Sequence, residues 1–575
     1  MKKFLLTLAA AMMTASSFAA FNVPAKSNGS VKPGVPSSTS KKFGTLQAPA
    51  VANRSGMMKA EGNDFGAITE VPAGKEVKML GSSQTFYLDY DEVCMDEAFG
   101  LAYEAVFTDG GDVYLKNPIS MLDWDTYIKG KETEDGITFE FPQPLFRSAY
   151  EDETFDLYVD VLEYTEIEAP NFPGYYYPTF VPAETRTITF IKNEDGSYAM
   201  DCEYMMGVTC DDLWQGYGEM YLSLLPFEEK QKEIPEGIDY DYSYVLVDEV
   251  NGWDHSILRL IGIGELNGET YISGLFSGMP DAVVYGTFDK ETNQLTVPSD
   301  QFLGKFYNRY IFMMAGTGYT YYDESWESDM YSFDTTQEPL VFNYDPETNT
   351  YTPVITEGND FAYIIFNFGN TETYPCEYYA VDKIYSQGKI TDYAPVTPEI
   401  EFVNEISFFD PDYSYAVEFY IYGENNEGKM LREDHIFYNI YINGELYTFT
   451  SEEYPTLLDQ GVSELTDIPV DFNAGDDFYA YGSYHGVALK RKDVETIGIR
   501  AVYIDGEIRA ESDIMTVNTL GEPLSAASLN QPYAKGTETF DINGRKVSES
   551  NGTGILIRRT TLSDGSIRTE KVIKK

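Results

Sequence analysis

Phe190-Ile191-Lys192-Asn193-Glu194-Asp195-Gly196-Ser197-Tyr198 and Phe342-Asn343-Tyr344-Asp345-Pro346-Glu347-Thr348-Asn349-Thr350-Tyr351 are one pattern written twice. In each, a strand-like segment enters a turn built from Asp, Asn or Gly and resumes at a tyrosine, which is hairpin chemistry. The correspondence extends outward. Asp91-Glu92-Val93 and Asp248-Glu249-Val250 each begin 23 residues before a tyrosine in matching segments, Asp112-Val113-Tyr114-Leu115 and Glu269-Thr270-Tyr271-Ile272. Tyr127-Ile128-Lys129-Gly130 answers to Val284-Tyr285-Gly286, and Pro142 and Pro298 each follow twelve residues after the glycine. Ile137-Thr138-Phe139-Glu140-Phe141-Pro142 then matches Gln294-Leu295-Thr296-Val297-Pro298. A period near 157 residues, held at separated points, predicts two homologous domains at about 70–232 and 233–394.

Inside each copy the segments are short and alternating, as in Thr187-Ile188-Thr189-Phe190, and long helical periods are absent. Eight to ten strands per copy are expected, closed as an antiparallel barrel or stacked as a sandwich, with both left open. A Pro-containing boundary at Pro395 and Pro398 opens a further region, 395–522. There, Phe437-Tyr438-Asn439-Ile440-Tyr441-Ile442 runs into Asn443-Gly444, a strong two-residue hairpin signal. Ile497, Ile499, Ala501 and Tyr503 alternate onto one side of the next strand. The run from Ile497 to Ile514 resembles the final hairpin of a fibronectin type III or related immunoglobulin-like sandwich. The stretch from Tyr271 to Gly304 is similar to a module recurrent in Bacteroidetes surface proteins of unknown function, which implies no chemistry. The expected class is therefore all-β and multidomain.

Both ends read as addresses. Lys2 and Lys3 precede an apolar run from Phe4 to Met13, too short to span a bilayer, so 1–20 is expected to be a secretory signal cleaved next to Ala19. Residues 21–69, rich in Pro, Ser, Gly and Lys over most of their length, are expected to be a flexible leader. At the other end, Phe540, Asp541, Gly544, Arg545 and Lys546 precede the strand-like Gly554-Ile555-Leu556-Ile557 and a basic tail. This arrangement resembles the C-terminal sorting domain, here 523–575, of cargo for the type IX secretion system of Bacteroidetes-type bacteria. The resemblance implies a partner in the secretion machinery and a place outside the cell or on the outer-membrane surface, with Phe540, Asp541, Gly544, Arg545, Lys546, Gly554, Ile555 and Ile557 as the sorting motif. The signal alone would leave the product in the periplasm.

The chain has 575 residues, a formal net charge of −54 and no acidic residue before Glu61. Such a field repels nucleic acid and anionic lipid, so neither is an expected partner, and no apolar stretch is long enough to predict a transmembrane helix. With 43% hydrophobic residues, 47 Tyr and 35 Phe, the chain has the apolar surface to fold, and its aromatic excess favours strands. Four cysteines, Cys94, Cys202, Cys210 and Cys376, are too few for a disulfide scaffold; Cys202 and Cys210 could close a hairpin.

Chemistry is sparse in the sequence. His255, His435 and His485 stand apart, and no metal-ligand spacing, nucleophile elbow or phosphate loop accompanies them. Asp345, Glu347 and Asn349 resemble a fragment of a calcium loop but read as a turn. No catalytic, cofactor or metal site is predicted. The notable constellation is aromatic: Tyr175, Tyr176 and Tyr177 in the first repeat, and Tyr319, Tyr321, Tyr322 and Trp326 in the second. Exposed rings flanked by carboxylates suit sugars, the rings stacking on pyranose C–H faces while Asp and Glu accept hydroxyls. The bland alternative has the rings covering an open end of their own domain. The expected function is a non-enzymatic surface binding or adhesion protein for an extracellular glycan or protein. A structural surface component and an unrecognised extracellular hydrolase are the alternatives.

Overall fold

In the computed structural model the described residues are 58–59, 65–89, 92–122, 124–150, 153–168, 174, 176–200, 202–248, 257–324, 328–408, 411–524, 534–541, 554–562 and 567–574. The expected signal with Ala19, most of the expected leader, His255 and the motif residues Gly544, Arg545 and Lys546 lie outside them. Regular structure is almost wholly antiparallel β-strand, with one α-helical turn at Thr456–Asp459 and one 3-10 turn at Glu433–His435 among the described residues. No helix there is long and apolar enough to cross a membrane. The chain divides into two compact units, Met1–Gly388 and Lys389–Lys575.

The first unit contains both repeats, and each closes a ring of eight strands. In the first, Lys75–Asp89 pairs with Glu92–Phe107, which continues through Asp112–Lys116, Tyr127–Glu132 and Gly136–Glu140. Gly136–Glu140 then pairs with Thr187–Lys192, and Tyr198–Met200 and Leu213–Pro226 bring the ring back to Lys75–Asp89. The second ring follows the same route through Asp241–Asp248, Ile257–Leu266, Glu269–Ser273, Val283–Asp289 and Gln294–Val297. It returns through Leu340–Asp345, Thr350–Pro353 and Pro375–Ser386. The residues aligned by the repeat occupy matching places. Phe190 and Phe342 are fully buried in equivalent strands, and Tyr198 and Tyr351 are buried one strand further on. Their intervening turns are held locally: Gly196 takes φ +85°, and Asp345 accepts the Glu347 N–H and the Thr348 hydroxyl. The Asp345 carboxylate is thereby used by its own turn.

Strand number exceeds expectation, with twelve between Lys75 and Pro226. The surplus is a side branch on each ring. Gln143–Tyr150, Glu153–Glu168 and Met205–Cys210 pair in series and join the ring at Leu213–Pro226. Gln301–Phe306, Arg309–Gly318 and Phe361–Phe368 join the second ring at Pro375–Ser386 in the same way.

Each ring has its own core, and a third core joins them. Leu80 from the first repeat packs with Tyr310, Phe312, Met314, Tyr363 and Ile365 from the second, and Ala102, Leu225 and Phe227 lie against the cluster. Polar contacts mark the same joint: Asn308 donates its side-chain amide to the Ser120 carbonyl, and Arg309 donates to the Phe99 carbonyl at 3.2 Å. Gly100, at φ +71°, permits the closest approach, since a Cβ there would lie 2.5 Å from the Gly369 nitrogen. None of the four cysteines is in a disulfide.

The second unit contains a sandwich. Glu399–Glu405, Tyr415–Tyr420, Tyr484–Leu489 and Phe478–Tyr481 form one sheet; Glu445–Leu446, Ile436–Ile442, Thr496–Asp505 and Ile508–Glu511 form the other. Val417, Phe419, Tyr438, Val487, Ile497, Ile499, Ala501 and Tyr503 fill the space between them. Asn443 and Gly444 both take positive φ, as a two-residue hairpin requires. The hairpin at Asp505–Ile508 is not the last element, because Met515–Asn518 pairs further along the same edge of Thr496–Asp505, opposite Ile436–Ile442. A three-stranded sheet, Ala534–Asp541, Gly554–Leu562 and Ile567–Lys574, places Phe540 opposite Ile557 and Asp541 opposite Leu556 in register.

Candidate functional site

The two aromatic stretches form equivalent hairpins. Glu153–Glu168 runs beyond the side branch and pairs with Tyr176–Pro182, from Leu162 opposite Pro182 to Glu168 opposite Tyr176. Arg309–Gly318 holds the matching place in the second repeat and continues into Thr320–Asp323. That segment pairs with Ser328–Tyr331 before the chain returns along Arg309–Gly318 as Asp334–Thr336. Each tip is a two-stranded ribbon reaching past the layer that anchors it.

On the first tip, strand alternation puts Tyr164, Glu166 and Glu168 on one face, across from Phe180, Pro178 and Tyr176. Tyr176 is 56% exposed and Tyr164 57% exposed. The base is fixed by a buried aromatic chain: Tyr164 meets Phe180 edge-on at 6.0 Å, and Phe180 meets Trp214 at 5.0 Å. The Glu168 carboxylate accepts the Gly174 N–H at 2.6 Å. Partial burial raises the Tyr164 phenol pKa, and Glu166 adds to the effect. Tyr175 and the side chain of Tyr177 lie outside the described residues.

On the second tip, Tyr322 and Tyr331 share a face with Asp329, since Tyr322 stands opposite Asp329 and Thr320 opposite Tyr331. Tyr322 is 60% exposed and Tyr331 48% exposed. Tyr319 is exposed on the other face, where its ring lies 6.2 Å from the half-buried Tyr321. The base is again fixed, with Tyr331 edge-on to Phe361 at 5.6 Å and Asp360 accepting the Thr320 N–H at 2.8 Å. Trp326 lies outside the described residues.

Tyr176, Tyr319, Tyr321 and Tyr322 thus sit at or beside matching tips, and the structure adds Tyr164, Tyr331 and Asp329, which sequence reading passed over. Their signal was alternation within a strand, visible once the strand's register was known. Each tip offers open ring faces with a carboxylate alongside, which can stack on an apolar or cationic surface and accept hydrogen bonds.

The two described histidines contact backbone carbonyls. His485 is buried, with its ring nitrogens 2.9 and 2.8 Å from the Ser483 and Val470 carbonyls, and burial lowers its pKa. His435 contacts the Ile504 carbonyl at 2.7 Å. An open depression of about 560 Å³, lined by Glu134, Asp135, Thr189, Lys192, Cys202 and Tyr204 among others, shares no residue with either tip. Among the described residues no group of three His, Cys, Asp or Glu could hold a metal ion.

No protein-family model matches the chain, and no curated protein matches its sequence.

Proposed function

We propose that this chain is an exported surface protein that binds through its two aromatic hairpin tips and does not catalyse, with saccharides as the ligand class. The observation that carries the reading is the repetition of solvent-facing tyrosines beside carboxylates at one topological position in both repeats. Aromatic rings used only for packing turn inward, as Phe180 and Phe361 do beneath these tips, whereas Tyr176, Tyr322 and Tyr331 keep more than two fifths of their surface in water. Two such tips on one unit would strengthen attachment to a repeating polymer by avidity. Export rests on the sequence of the two ends, which resemble a cleaved signal and a type IX sorting domain.

Glycan-array binding of the full chain tests the ligand class. Selective binding is expected, weakened about tenfold in a Tyr176→Ala/Tyr322→Ala variant, because a ring contact contributes roughly 0.5–1.5 kcal/mol. A folded chain that binds no glycan, or a variant that binds as the wild type does, would overturn the saccharide reading. Fractionation of expressing cells, with and without residues 523–575, tests export: loss of surface material on truncation is expected, and unchanged surface exposure would refute the sorting role.

A further inference from the structure

The outer face of the four-stranded sheet in the second unit presents a second, different surface. Val417, Phe419, Val487 and Phe478 point into the sandwich, so the alternate residues of those strands point out. Cross-strand register arranges them in two rows. One runs Glu399, Tyr420, Tyr484, Tyr481; the other runs Phe402, Glu418, Gly486, Tyr479. The tyrosine rings adjoin, Tyr420 lying 5.1 Å from Tyr484 and Tyr484 edge-on to Tyr479 at 6.3 Å. Tyr481 is 62% exposed, and Phe402 is exposed on the far strand.

Gly486 interrupts this aromatic surface with a notch. Its φ is not left-handed, so backbone conformation does not demand glycine there. An added Cβ would meet only the Tyr479 side chain, at 3.7 and 3.9 Å, so crowding does not demand it either. What glycine does is leave open the floor between Tyr479, Tyr484 and Glu418, the kind of strand position where another group approaches the backbone.

The charge of the notch defines its occupant. Glu418 accepts the Tyr484 hydroxyl and Glu399 accepts the Tyr422 hydroxyl at 3.3 Å, so these phenol donors are already used. Among the described residues, none of the ion pairs in this unit includes Glu399, Glu401 or Glu418. The surface therefore offers ring faces and uncompensated negative charge, with the Tyr484 hydroxyl beside the notch already engaged. That combination fits a cation better than a sugar.

We propose that this face binds a basic polypeptide segment, with a Lys or Arg side chain lodged over Gly486 between Tyr479 and Tyr484 and its charge on Glu418. The test is calorimetric titration of the full chain, at about 150 mM salt to suppress diffuse attraction, with hexalysine, with hexalysine acetylated on every side chain, and with cellohexaose. Two variants accompany it, Gly486→Thr, which fills the notch without changing charge, and Glu418→Gln. Hexalysine alone is expected to bind, and each variant to weaken it about tenfold or more, the scale of a desolvated cation–π contact. Equal hexalysine affinity in wild type and Gly486→Thr would place binding on the overall acidic field and overturn the proposal, as would equal binding of the acetylated peptide or of cellohexaose. Should Gly486→Thr lower the melting temperature, Tyr481→Ser, at an exposed ring on the rim, is read in the same way.

Discussion

Ser120 in the first repeat and Ser277 in the second, 157 residues apart, occupy the same turn: Leu122 donates to the Ile119 carbonyl at 3.0 Å, and Met279 donates to the Phe276 carbonyl at 3.3 Å. Both serines grip a glutamate from the ring-closing strand. Ser120 gives its N–H to Glu219 at 2.8 Å and its hydroxyl to the same carboxylate; Ser277 gives its N–H to Glu377 at 3.1–3.2 Å and its hydroxyl likewise. The surroundings differ. Each carboxylate accepts one further hydroxyl, Ser83's on Glu219 and Tyr379's on Glu377, but Glu219 is fully buried and lies near Arg309 of the other repeat at the joint. The Glu377 clamp is at the surface. A device that ties down a turn in one ring has become, by burial between two rings, a group whose protonation is coupled to folding.

The comparison breaks most visibly at the cores. Phe190→Ala and Phe342→Ala each delete a fully buried ring from an equivalent strand and should each cost about 3–5 kcal/mol. Because Leu80, Tyr310 and Tyr363 share one cluster across the joint, either variant should shift a single urea transition for the whole first unit. Two transitions, with each variant moving only its own, would show that the rings unfold independently.

Glu219 should supply the next largest effect. Burial raises its carboxyl pKa from 4.5 to about 7, against the hydrogen bonds from Ser120 and Ser83 and the nearby Arg309 charge, which lower it. Below pH 4.5 both folded and unfolded chains hold the proton, and the stability linked to it is fully present. Between 4.5 and 7 the unfolded chain releases a proton that the folded chain keeps, so stability falls as pH rises. At about 1.4 kcal/mol per unit, the loss approaches 3 kcal/mol by neutral pH. Glu219→Gln should remove this slope from urea midpoints measured across the range, whereas Glu377→Gln should leave it in place. A slope that survives Glu219→Gln would assign it to other carboxylates.

The serines sharpen the contrast at smaller scale. Ser120→Ala withdraws a hydroxyl from a buried carboxylate and should cost about 1.5–3 kcal/mol at pH 8, while Ser277→Ala, at the surface, should stay within about 0.5 kcal/mol. Equal losses would mean that burial is not what separates the two clamps.

The repeat was legible because core rings and turn formers recur at fixed spacing, as Phe190 and Tyr198 do with Phe342 and Tyr351. The clamp was not. Its partners are 99 residues apart in the first ring and 100 in the second, and each glutamate is one of 94 acidic residues with nothing local to distinguish it. Of the tips, the clustered tyrosines Tyr319, Tyr321 and Tyr322 were visible, but Tyr164 and Tyr331 sit inside strands, where only the register shows which face they share. The notch at Gly486 was hidden for the same reason, since its walls come from three strands brought together by pairing.

The smallest stability effect is expected at the tips. Tyr176→Ala and Tyr322→Ala remove rings that are more than half exposed, and neither ring carries the aromatic contact that anchors its tip, which falls to Phe180 with Trp214 and to Phe361 with Tyr331. Each should therefore change the unfolding free energy by no more than about 0.5 kcal/mol. Phe180→Ala, one layer down, should cost about 3 kcal/mol because it empties the contact with Trp214 and Phe86. If Tyr176→Ala or Tyr322→Ala proved as costly as Phe180→Ala, the outer rings would be holding their own tips together, and their exposure would no longer argue for a ligand.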